Sequence, residues 1–386
     1  QQEQGLRYVR LFLTAEDSVL GFLPKLQVDL LPAGGIKAIS LNITDIDIPS
    51  RPYSDLMDVV IQFTFLCAGI WLISIFYLRI KAKAIDTQPA FIISVLAGFM
   101  FSATQFLRFA NDVEFTAEAI KSISLPDRFF IIGILGAVSA VVFFVLTSIS
   151  DSVTRQHWPE KLKAWDLARR GFFKNKPVGR SIVISIFIAG ILTGLWAVLI
   201  QLFPGTHITA DVRLQSSNFA FPSVATLMEN LLGSLLVVIS TLMILGNQLY
   251  AVTKVKWIIP MLSGFIFALF LEFFVSLNVH PFNYSLIINF IIGAAFGAFY
   301  IKHGFLTMVL SLFIFIGVFT TRAGWMMPNS PDANLLYIFS ALVFSMLLLG
   351  FYFIAKGSEK KDLPDYVPTY IEDQAKEQRL DQEPEI

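Results

Sequence analysis

Ionisable residues are scarce in the apolar parts of this chain, so each one found there is a candidate for chemistry. Glu229 stands beside Asn230 near the start of an apolar run, and His280 closes Asn278-Val279-His280 just before Pro281. A carboxylate and an imidazole on neighbouring membrane segments could activate a water or share a metal. The alternative is that each is an interfacial polar residue hydrogen-bonded to an adjacent helix. Glu272 interrupts Phe270-Leu271-Glu272-Phe273-Phe274, and Arg108, with Gln105 nearby, sits near the end of another run. Glu272 is expected to pair with a polar residue such as Arg108 rather than to relay protons. The chain has 4 histidines and a single cysteine, Cys67, so an intrachain disulfide and a four-thiolate zinc site are both excluded. There is no phosphate-cradling glycine loop, no Gly-x-Ser-x-Gly elbow and no His-Glu-x-x-His helix. No cofactor and no metal ligand set is indicated.

The elements that must hold these residues follow from composition. Of 386 residues, 55% are hydrophobic and only 15% charged, against about 25% charged in a soluble domain. The apolar residues fall in runs of about 18–27, the length that crosses a bilayer as a helix. The runs are 57–78, 90–109, 129–149, 181–203, 224–250, 257–278, 283–301, 304–321 and 334–355. The fold class expected is an all-α polytopic membrane protein of about nine transmembrane helices, with a small extracytoplasmic β segment at the N-terminus. The pair 283–301 and 304–321, separated by Lys302 and His303, is also compatible with one bent hairpin or with partly re-entrant segments.

Basic residues set the orientation. They follow alternate runs: Arg79, Lys81 and Lys83; a large group from Arg155 to Arg180; Lys254 and Lys256; Lys302; then Lys356, Lys360 and Lys361. The other connections are poor in them. This places the N-terminus outside and the C-terminus inside, in what is expected to be a bacterial inner membrane. The net charge is zero, which gives no case for a nucleic-acid partner; the bilayer is the partner expected first.

Three regions result. Residues 1–55 alternate apolar and polar positions around a Pro-Ala-Gly-Gly turn at 32–35 and read as strand–turn–strand, an extracytoplasmic β-rich segment expected to be truncated at Gln1. Residues 56–356 are the membrane helical domain. Residues 357–386 are a charged cytoplasmic linker or tail. Within the domain, Trp158, Leu162, Trp165 and Ala168 recur at helical spacing among basic residues. They read as an amphipathic helix lying on the inner headgroup surface.

From about 130 to 320 the order of features resembles the CPBP (Abi) intramembrane endopeptidases. The family's Glu-Glu-x-x-x-Arg is matched by Glu229-Asn230-Leu231-Leu232-Gly233-Ser234, with Asn and Ser replacing the second Glu and the Arg. Its Phe-x-x-x-His is matched by Ser276-Leu277-Asn278-Val279-His280, with the Phe missing. Its final His-x-x-x-Asn falls on Phe313 and Gly317. The resemblance implies the family's scaffold with an incomplete catalytic set, because a phenyl ring can neither ligate a metal nor donate a hydrogen bond. The segment Gln374–Ile386 is similar to the helical lead-in of SpoIIE-type serine/threonine phosphatases. Together these resemblances imply a non-catalytic membrane sensory or regulatory module coupled to a cytoplasmic signalling domain, for example a phosphatase of that type. The alternatives are a CPBP-type peptidase with Glu229 and His280 as its catalytic residues, and a transporter, which the lack of carboxylates across the spans weakens.

Overall fold

A computed structural model describes residues 9–14, 22–30, 36–45, 54–85, 87–110, 125–203, 206–210, 221–275, 277–321 and 333–358. The chain divides into two compact units, Gln1–Trp71 and Leu72–Ile386. The first contains strands β1 (Val9–Thr14), β2 (Phe22–Leu30) and β3 (Ile36–Asp45) in an antiparallel sheet of that order. Its register sets Leu11 opposite Val28 and Val28 opposite Ile39, and Leu13 opposite Leu26 and Leu26 opposite Leu41. Apolar residues spaced by two thus fall into common rows, the condition that fixes strand register. Helix α1 (Ser54–Lys81) runs across the boundary between the units.

The second unit continues with α2 (Thr87–Ala110), α3 (Leu125–His157), a short 3-10 turn (Pro159–Leu162), α4 (Lys163–Arg169) and α5 (Lys176–Leu202). Strand β4 (His207–Ala210) follows. Next comes a long helix that begins as α6 (Phe221–Val237), widens into π turns over Val238–Gly246 and ends as α7 (Asn247–Thr253). The remaining elements are α8 (Ile258–Val275), β5 (Leu277–His280), α9 (Phe282–Lys302), α10 (Phe305–Thr320) and α11 (Ala333–Lys356).

Among the described residues, six helical segments are long and apolar enough to cross a membrane: Ala90–Leu107, Phe129–His157, Lys176–Leu202, Val224–Thr253, Asn283–Lys302 and Ala333–Lys356. Ile258–Leu271 and Phe305–Thr320 are shorter apolar helices. The protein is therefore a helical membrane protein. One expectation changes in detail. The run 257–278 does not stay helical to its end: the helix stops at Val275, and Leu277–His280 pairs antiparallel with β4. The alternation Leu277-Asn278-Val279-His280 is what favours the strand. The runs 283–301 and 304–321 are two separate helices, divided at His303-Gly304.

Helix α10 is the axis of the unit. It is apolar on all sides, and Phe305, Met308, Leu312 and Phe315 are at most 2% exposed, as expected of a helix surrounded by protein. Helices α8 and α9 pack backbone to backbone: a Cβ on Gly293 would lie 2.5 Å from the Ser263 carbonyl oxygen. Small residues permit this approach, which gains dispersion contacts where lipid offers no hydrophobic driving force.

Candidate functional site

Glu229 lies half-buried on α6, one residue before Asn230. The Asn230 amide donates to the Thr320 hydroxyl at 3.0 Å, tying α6 to the last turn of α10. Ser234, one turn further along α6, is fully buried, and its hydroxyl donates to the Asn230 carbonyl at 2.6 Å. An arginine at that position would have no room and no water. Phe313 is 4% exposed and meets the Phe339 ring edge-on, with centroids 6.2 Å apart. A Cβ at Gly317 would overlap the same ring. The α10 positions that the resemblance singled out are thus occupied by tight packing against α11. The nearby crevice, bounded by Val237, Phe267, Leu271, Leu312 and Ile316, has only about 10 Å³ of space and no polar lining.

His280 ends β5, in register with His207 of β4. Glu272 lies on α8 and Arg108 near the end of α2. The side chains of His280, Glu272 and Arg108 lie outside the described residues, and with them the expected Glu272–Arg108 pair and the reach from His280 to Glu229. Among the described residues no group of three or more His, Cys, Asp or Glu is placed to hold a metal.

A dense polar region lies at the other end of the bundle, around the connection from α3 to α5. Asp151 and Arg155, one turn apart on α3, and Asp166 and Arg169 on α4 form one ionic cluster. Arg155 donates to Asp166 at 2.7 and 2.9 Å and to Asp151 at 2.8 and 3.0 Å. Arg169 adds a 2.9 Å contact to Asp166. The four side chains are 7–15% exposed. Two guanidinium groups face two carboxylates, so the buried charges cancel, and the fork geometry satisfies both oxygens of each acid. The adjoining crevice, lined by Thr147, Ser150, Asp151 and Arg169, measures about 20 Å³, enough for a water but not for a substrate.

The same connection is held a second way. Lys161, 5% exposed, donates its ammonium to the carbonyl oxygens of Tyr300 (2.9 Å) and Ile301 (2.6 Å) at the end of α9. A cation is favoured there because the last helix carbonyls lack partners and carry the negative end of the dipole. Its charge also lies over the rings of Trp158 and Tyr300, 5.5 and 5.6 Å from their centroids. Burial outweighs these attractions and pulls the Lys161 pKa down to about 8. The backbone approaches just as closely: a Cβ at Gly304 would lie 2.7 Å from the Lys161 carbonyl oxygen. Beneath this contact the Asn247 amide donates to Thr154 (2.9 Å) and Tyr300 (3.3 Å), joining α7, α3 and α9 in a wholly buried polar knot.

This arrangement corrects the expectation for the connection. Leu162, Leu167 and Ala168 are buried, and Trp165 meets Phe305 edge-on at 5.1 Å. The apolar stripe therefore faces other helices of the protein, α10 among them, and not the headgroups. Periodicity reveals that a stripe is buried, but not whether protein or lipid buries it. Lys161 is missed for a related reason: in the sequence it is one of many basic residues, and its partners are carbonyls some 140 positions away.

The exit of the chain from the bundle joins the same region. The Ser358 N–H donates to the Lys174 carbonyl, and the Lys176 N–H donates to the Ser358 carbonyl, both at 3.4 Å. Lys174 also lies over the Tyr352 ring, 5.3 Å from its centroid. The chain matches no protein-family model, no curated protein and no solved structure.

Proposed function

We propose that the chain is a non-catalytic sensory or regulatory module of the membrane that passes a change in its helix bundle to its C-terminal tail. The observation that carries this reading is the backbone pairing of Ser358 with Lys174 and Lys176. Through it the root of the tail is fastened to the connection that the ionic cluster holds on α3 and that Lys161 holds on α9. A shift of α3 against α9 therefore has a short covalent and hydrogen-bonded path to residue 358. A bundle of this kind signals only if a cue favours one of two arrangements of that path. The tight packing at Phe313, Gly317 and Ser234 leaves no space for a catalytic set at these positions, which favours the non-catalytic reading. On this reading the chain crosses the membrane nine times, with the sheet outside and the tail inside a bacterial inner membrane. The output is a cytoplasmic signalling partner, a serine/threonine phosphatase being the class that the tail's sequence suggests.

The test uses the purified chain in lipid nanodiscs, with Cys67 replaced by Ser and a spin label at Lys360→Cys. Breaking the ionic cluster with Asp166→Asn is expected to raise the mobility of the label. An unchanged spectrum in a variant that keeps its helical content would overturn the coupling. Cleavage of a membrane-embedded reporter peptide by the wild-type chain, abolished in Glu229→Gln, would establish the peptidase reading instead.

A further inference from the structure

Three helices that meet at the tail end of the bundle bring cations to one patch. Arg79 at the end of α1 donates to Ser152 (2.7 Å) and Gln156 (3.2 Å) of α3. Lys254, just past α7, lies with Arg79 within electrostatic reach of His157. Lys256 acts in the same way on Lys161, and Lys161 and Lys302 act on His303. Among the described residues the Glu160 carboxylate lies within electrostatic reach of Lys161. Trp158 sits in the middle, 4.7 Å from the Tyr250 ring and 6.1 Å from the Tyr300 ring.

The outer edge of the patch is apolar. The turn from α7 to α8 reads Val252-Thr253-Lys254-Val255-Lys256-Trp257. Lys254 takes a left-handed conformation (φ 58°) that turns the chain sharply. Val252, Val255 and Trp257 are 82%, 53% and 69% exposed, and Lys254 and Lys256 are exposed between them. Water is a poor solvent for the first group and a good one for the second. A bilayer interface suits both, with the indole at headgroup level and the ammonium groups at the phosphates.

We propose that the α7–α8 turn, with Lys302 and the Arg79–His157 edge behind it, is a docking site for the headgroup of an anionic phospholipid. Lys254 and Lys256 contact the phosphate, and Trp257 lies along the glycerol and upper acyl chain. Charge complementarity selects an anionic headgroup over a zwitterionic one. The exposed valines and tryptophan select a lipid over a soluble anion. The site is separate from the signalling reading and stands without it.

The test measures binding of dioleoyl phosphatidylglycerol and dioleoyl phosphatidylcholine to the full chain in detergent, by native mass spectrometry and by the lipid-dependent rise in melting temperature. Phosphatidylglycerol is expected to bind more tightly. Lys254→Gln with Lys256→Gln should weaken it roughly 30-fold, from about 1 kcal/mol for each lysine near an anionic surface. Both residues are exposed, so melting without lipid should not change. A second variant of equal charge change, Lys163→Gln with Lys356→Gln, should stay within about threefold of the wild type. Equal affinity for both lipids, an equal loss in the two variants, or protection by inorganic phosphate alone would each overturn the site.

Discussion

The two charged regions beside the α3–α5 connection differ in how they treat burial. In the Asp151–Arg155–Asp166–Arg169 cluster every charge has an opposite partner, the side chains are 7–15% exposed, and the fork geometry leaves few lone pairs unsatisfied. Around Lys161, Lys254, Lys256 and Lys302 cations predominate, one of them is buried against carbonyl oxygens and others are open to the surroundings. The first region can be stable without any outside partner. The second is incomplete by charge and suits an environment that supplies anions. A balanced buried cluster acts as a fastener, and an unbalanced exposed one as a receiver.

Breaking the fastener should have the largest effect. Arg155→Met leaves Asp151 and Asp166 buried with Arg169 as their remaining partner in the described cluster. Removing one partner of a buried ion pair costs about 3–5 kcal/mol, and thermal melting in detergent should fall accordingly. A loss of about 0.5 kcal/mol or less would mean that water reaches the cluster and that the contrast with the open patch is false.

The buried lysine sharpens the same contrast through pH. With its pKa lowered to about 8 in the folded chain, Lys161 binds its proton less tightly than it does when unfolded. The penalty for burying the ammonium is present in full below about pH 8. It is relieved as pH rises from about 8 toward about 10.5, because there the unfolded state binds more protons. Wild type should therefore gain on Lys161→Met by about 3 kcal/mol across that window, since each tenfold change in proton affinity is worth about 1.4 kcal/mol. Chemical unfolding of both chains at about pH 7.5 and about pH 10 reads the difference, and a gap independent of pH would show that Lys161 is solvated.

The smallest effect is expected far from either charged region. Thr320→Val removes the acceptor of the Asn230 amide and should cost about 1 kcal/mol, without changing the pH dependence.

The helices were readable because apolar runs of membrane length leave the backbone few alternatives to helix. The destinations of their polar residues were not. Asn230 and Ser234 look in sequence like remnants of a catalytic motif, and only the packing shows that one ties α6 to α10 and the other is sealed in. Trp158, Leu162, Trp165 and Ala168 carry a clear helical period, yet period does not distinguish a lipid-facing stripe from one facing other helices of the protein. The antiparallel pairing of β4 with β5 joins residues some seventy positions apart, and only the short alternation before His280 hinted at it. Lys161 gave no local sign, since its partners are main-chain oxygens that every residue possesses.

The π turns over Val238–Gly246 divide one long helix into two halves that serve different neighbours. Before them, Asn230 addresses Thr320 of α10; after them, Asn247 addresses Thr154 and Tyr300. A π turn holds more residues than an α turn, so it offsets the angular phase of everything downstream. Removing a single residue from Val238–Gly246 would rotate Asn247 by about 100° relative to Asn230. The stretch works as a phase shifter, fixing the pitch at which one rod engages two gears.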